Sequence, residues 1–130
     1  HFSFLDLELH AHHDPDTGES AKQVRDRVVP TTTVIPPLRE DSFLCGFGHI
    51  FAGAYAAGYY SYKWAEVLSA DAFAAFEEAG LEDDTSLAQV GEKFRDTVLA
   101  LGGSVHPMEV FKQFRGREPN TEPLLRQSGL

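Results

Sequence analysis

Apolar residues at Phe2, Leu5 and Leu9 recur three and four apart, and Phe4 and Leu7 widen the stripe. This spacing predicts an amphipathic helix over Phe2–His13. Asp14-Pro15-Asp16-Thr17-Gly18 ends it with turn chemistry. Ser20, with Gln23 three residues on, forms a capping-box pattern for a helix from Ala21 to Val29 that Pro30 stops. The stretch near 30–38 is β-branched and proline-rich, so it reads as extended chain. Gly46, Gly48 and Gly53 punctuate aromatic residues, and a glycine-rich loop is predicted near 46–53. The longest helical pattern runs from Ala54 to Ala79, with Gly80 placed to close it. Asp83-Asp84-Thr85-Ser86 is an N-cap cluster for a helix over Leu87–Leu101, ended by Gly102-Gly103. Pro107 opens another helix to Arg115, and a last short one spans Thr121–Gln127. The predicted class is all-α, with one extended segment and one glycine-rich loop.

Charge narrows the function classes. Asp and Glu number 20 against 11 Lys and Arg, a formal charge of −9, and there is no basic run. Such a chain is a poor partner for nucleic acid or an anionic membrane surface. No apolar run approaches the roughly 20 residues that span a bilayer. The single cysteine, Cys45, precludes an internal disulfide and fits a reducing, cytoplasmic setting. Its neighbours Phe43, Leu44 and Phe47 are apolar, with no Lys or Arg beside it, which predicts a buried, inert thiol. The 130 residues suffice for one domain burying about two-thirds of the extended chain's surface. Yet the chain opens inside an apolar-periodic segment, and its sole methionine is Met108. That reads as a chain cut within an element.

Two constellations could carry chemistry. His10, His12, His13 and Asp14 lie within five residues and include metal-ligating side chains. They nearly spell His-x-His-x-Asp-His, but Pro15 stands where the closing histidine would be. On a helix His10 and His13 share a face and His12 does not. We therefore read a solvated helix end and assign no metal ligand. The second constellation is Gly46–Glu66. Tyr55, Tyr59 and Tyr62 stand at i, i+4 and i+7, one face of the predicted helix, with Ala56, Ala57, Gly58 and Ser61 between them. His49 precedes them between glycines. Phenols and an imidazole can donate hydrogen bonds to a developing oxyanion. The segment holds no nucleophile and no ligand pair, so the pattern alone also allows plain core and rim aromatics.

The run Gly48-His49-Ile50-Phe51-Ala52-Gly53-Ala54-Tyr55-Ala56-Ala57-Gly58-Tyr59-Tyr60-Ser61-Tyr62-Lys63-Trp64 resembles the carboxyl-terminal catalytic region of the M3 family of zinc oligopeptidases. The likeness continues in order through Val67–Phe73, Gly102-Gly103-Ser104, Phe111–Pro119 and Leu124–Leu130, and upstream through Phe4–His10 and Asp14-Pro15. It covers essentially residues 1–130, read as an incomplete part of the catalytic domain. The resemblance implies a helical zincin-type portion of a metalloendopeptidase that hydrolyses short peptides.

By that resemblance His49 and Tyr62 are catalytic donors to the substrate or the tetrahedral oxyanion. Tyr55 and Tyr59 orient the peptide, and Gly53 belongs to a substrate-closing loop. Ala54 stands where the family usually has glycine. The family holds Zn²⁺ with a His-Glu-x-x-His helix and a later glutamate, and this sequence has no His-Glu-x-x-His. The chain alone is thus expected to bind no catalytic Zn²⁺ and to be inactive. Its expected partners are peptide substrates and the amino-terminal part of the same enzyme. Apolar surface left uncovered is expected to drive association into homo-oligomers. The competing reading is a non-catalytic helical binding module or degenerate remnant.

Overall fold

A computed structural model describes His1–Leu130. It is built from helices and turns with no strand. The chain forms two compact units, His1–Tyr62 and Lys63–Leu130.

In the first unit, α1 (Phe2–Leu7) runs on into a π-helical turn at Glu8–His12. Asp14 caps a single 3-10 turn at Pro15–Thr17 by accepting from the Asp16 amide. Helix α2 covers Ala21–Thr32, with both halves of the Ser20–Gln23 capping box formed. Pro30 does not stop it. Proline cannot donate to the i−4 carbonyl, here Asp26 O, but only Thr31 and Thr32 follow it in the helix, and the later carbonyls at Val28 and Val29 gain side-chain donors. Thr31 and Thr32 hydroxyls both reach Val28 O, and the Thr33 amide and hydroxyl close on Val29 O. Extended backbone begins at Thr33 (φ −134°, ψ 141°), and 34–38 follows as irregular chain.

The predicted loop near 46–53 contains two helical turns, α3 (Phe43–Gly46) and α4 (Gly48–Phe51), hinged at Phe47. Phe47 and Ile50 are buried, as are Leu5, Val24 and Val28 of the same unit. Phe2, Phe43 and Phe47 stack around that core, with ring centroids 4.8 to 5.4 Å apart. Cys45 is exposed, not buried. The turn that sends Phe47 inward points Cys45 out, a placement its apolar neighbours do not reveal.

Helix α5 (Ser61–Ala79), all but its first two residues in the second unit, starts seven residues later than its periodicity predicts. It ends at Gly80, whose φ of +92° suits glycine. Helix α6 (Asp84–Phe94), capped by Asp83, continues through a π-turn at Arg95–Leu99. Pro107 opens α7 (Pro107–Arg115) with His106 as its cap, and α8 is Glu122–Gln127. Ala70, Ala74, Val110, Phe111 and Phe114 form the core. Phe94 meets Phe114 edge-on at 5.2 Å.

A buried carboxylate ties this second unit together. Asp71 is fully inaccessible and accepts from Arg115 Nε, from both terminal nitrogens of Arg117 and from the Asn120 amide. Arg115 also forks onto Glu78. No helix is long and apolar enough to cross a membrane.

Candidate functional site

The aromatic segment Tyr55–Tyr62 does not continue α5. Residues 52–60 form successive turns, and Ala57 sits in the left-handed region at φ +55°. A carboxylate from the other end of the unit reaches this turn. Asp6 is completely buried; its Oδ1 accepts from the Ala57 amide and its Oδ2 from the Tyr59 amide, both at 2.9 Å. Those amides would otherwise belong to the helical ladder. A carboxylate offers two acceptor oxygens, and bonds to a charged acceptor outweigh ordinary backbone pairs. His10 Nδ1 lies 2.8 Å from Asp6 Oδ1.

The three tyrosines therefore do not share a helix face, yet the turn still gathers them. Tyr55 and Tyr62 stack at 5.2 Å, Tyr59 lies 5.1 Å from Tyr62, and Tyr55 lies 6.5 Å from Tyr59. His49, carried on α4 rather than on a loop, stands 6.1 Å from both Tyr55 and Tyr59. Phe47 backs the group, 5.0 Å from Tyr59 and 5.9 Å from His49. His49 is exposed and Tyr62 is 44% exposed, while Tyr55 and Tyr59 are half-buried. The whole cluster lies within the first unit. The neighbouring Tyr55 hydroxyl is the largest cause pushing the Tyr62 pKa above its usual value near 10; partial burial and the charges of Tyr55 and Tyr59 act the same way. Tyr62 is thus a protonated donor at neutral pH.

Gly53 follows α4 and donates its amide to Gly48 O at 3.0 Å. A Cβ there would meet the His49 carbonyl oxygen at 2.8 Å, so only glycine fits without displacing that backbone. Gly46, Gly48, His49, Ala52, Gly53 and Tyr55 line an open depression of about 410 Å³ beside the imidazole. Together the group offers phenol and imidazole donors to an anionic or carbonyl oxygen, and supplies no nucleophile.

The upstream histidines are used separately. His10 meets Asp6, and His12 meets Glu8 at 3.0 Å. His13 Nδ1 is buried without a hydrogen bond, with Glu19 Oε2 3.7 Å away. No group of three or more His, Cys, Asp or Glu side chains is placed to hold a metal ion.

Sequence reasoning missed Asp6. Its signal was slight: a carboxylate between Leu5 and Leu7, next to the most buried position of an apolar stripe.

Comparison with known proteins bears on all 130 residues. "Probable cytosolic oligopeptidase A" of Arabidopsis thaliana is 61% identical over 129 residues, 99% of this chain and 18% of that protein. "Organellar oligopeptidase A, chloroplastic/mitochondrial" of the same plant is 62% identical over 129 residues, 16% of its length. "Oligopeptidase A" of Escherichia coli is 43% identical over 129 residues, 18% of its length. The chain thus spans less than a fifth of the curated relatives it matches. The model of peptidase family M3 matches residues 1–130. With that match over its whole length, the chain belongs to peptidase family M3.

Proposed function

We propose that this chain forms the hydrogen-bond-donor side of the peptide-cleaving cleft in a longer M3 oligopeptidase. The observation that carries the reading is the grouping of exposed His49 and Tyr62 with Tyr55 and Tyr59, all within 5.1 to 6.5 Å of a neighbour. In this reading His49 and Tyr62 donate to the scissile carbonyl oxygen, where negative charge grows in the transition state. Tyr55 and Tyr59 orient the peptide backbone. The depression at Gly53 leaves room for substrate backbone to approach. Zinc, if the longer protein follows the family resemblance, is held by residues outside this chain.

The 130-residue chain alone then hydrolyses no peptide and takes up no stoichiometric zinc. A cytosolic setting is the proposed location; the organellar relative marks the alternative, which fractionation of tagged full-length protein separates.

The test uses the full-length protein and a fluorogenic short peptide. Tyr62→Phe should lower kcat by about 10²–10³, the usual cost of one oxyanion donor. Full activity of Tyr62→Phe refutes the reading and favours a non-catalytic helical module; chelator-sensitive turnover by the 130-residue chain refutes it as well, by placing a metal-dependent site within the chain.

A further inference from the structure

We propose that Asp6 is a positioning residue for this site: its buried carboxylate, accepting the Ala57 and Tyr59 amides, holds the turn that sets the three phenols beside His49. The proposal rests on the donor-side reading above.

Asp6 is one of only three buried polar or charged residues in the chain, and it bridges 51 and 53 positions of sequence. No Lys or Arg pairs with it. Its partners are two backbone amides and His10, so its burial is supported by the turn itself. Two amides aimed at one anion around a left-handed residue form a small anion-binding concavity, here filled by the protein's own carboxylate.

The periodicity of Ala54–Ala79 predicts a helix through this segment, and in such a helix the Ala57 and Tyr59 amides would bond to carbonyls four residues back. Asp6 removes them from that ladder. Tyr55 and Tyr62 consequently stack at 5.2 Å instead of lying two helical turns apart. Asp6 bonds to backbone amides and to no phenol hydroxyl; its effect travels through the backbone of 57–59. Without it the segment is free to wind into α5 and carry the phenols to different positions.

The experiment uses the full-length protein. Asp6→Asn puts an NH₂ donor against one of the two amides while keeping the side chain's shape. At a temperature where the variant is folded by circular dichroism, kcat/KM should fall about 10²-fold, the scale of a 1 Å misplacement. The readout that a merely structural role would not move is the combined variant. If Asp6 acts through the phenols, adding Asp6→Asn to Tyr55→Phe/Tyr59→Phe/Tyr62→Phe should slow that triple variant by no more than about threefold. Multiplying losses overturn the proposal, as does wild-type activity in folded Asp6→Asn.

Hydrogen exchange of the wild-type protein decides independently of any variant's folding. The Ala57 and Tyr59 amides should be protected, and exchange at the unprotected rate overturns the proposal. Failure of the donor-side reading is separately visible: there Tyr62→Phe keeps full activity whatever the exchange shows.

Discussion

Replacing Asp71 by Asn tests how much the second unit depends on one buried carboxylate. Four donors converge on it: Arg115 Nε at 3.1 Å, two Arg117 nitrogens at 2.6 Å each and the Asn120 amide at 2.8 Å. Asn keeps the size but removes the charge and one acceptor oxygen. Breaking a buried ion pair from one side costs about 3–5 kcal/mol, because the partner charges stay behind. Two features favour the lower end. The Arg117 side chain is 40% exposed and can turn to water, and Arg115, only 6% exposed, keeps Glu78. We expect a loss of about 3 kcal/mol, a large share of a typical domain stability of about 5–15 kcal/mol.

Urea unfolding followed by fluorescence of Trp64, the only tryptophan and part of the second unit, reads this directly. A loss below about 1 kcal/mol would show that the network is spread over other contacts.

The same substitution carries a pH signature. Burial by itself would raise the Asp71 pKa. The Arg117 hydrogen bond, the Asn120 amide and the charges of Arg117 and Arg115 outweigh it, and the pKa lies below the usual 3.8. A group depressed on folding contributes stability above its unfolded pKa and loses it as pH falls through the folded one. The gap between wild type and Asp71→Asn should therefore be constant from neutral pH down to about 5 and shrink below about 4. A gap that shrinks already near pH 6 refutes this account.

Gly53→Ala forces its Cβ against the His49 carbonyl, so we expect destabilisation of about 1–3 kcal/mol and altered His49 NMR shifts; unchanged shifts would show that the backbone yields freely. Ala57→Gly relieves a left-handed strain of about 1 kcal/mol and should raise the unfolding midpoint of the first unit, whereas a lowered midpoint counts against the turn geometry. Cys45 should react stoichiometrically with a thiol reagent in native buffer, at a rate that denaturant barely changes; protection until unfolding would contradict its exposure.

Much of the helical framework is local and therefore legible in the chain. The Ser20–Gln23 box, the Asp83 cap, Pro107 at a first helical position and Gly80 at a helix end act within a few residues, and all sit where the sequence places them. The residue types of the candidate site were legible too, since His49, Tyr55, Tyr59 and Tyr62 do come together.

The manner of their meeting was not. Periodicity favours a helix from Ala54, and nothing within that segment argues otherwise except Gly58. The residue that overrules it lies about fifty positions upstream, and neither propensity nor spacing reports such a distance. The same limit hid the exposure of Cys45, which depends on what Phe47 and Ile50 pack against. What the sequence by itself determined were most of the longer helices, several of their caps and the aromatic inventory, because hydrogen bonds at helix ends are made by near neighbours. Only the tertiary structure decided where α5 begins and how the phenols face one another, because a buried carboxylate must find donors and takes them from the nearest backbone in space.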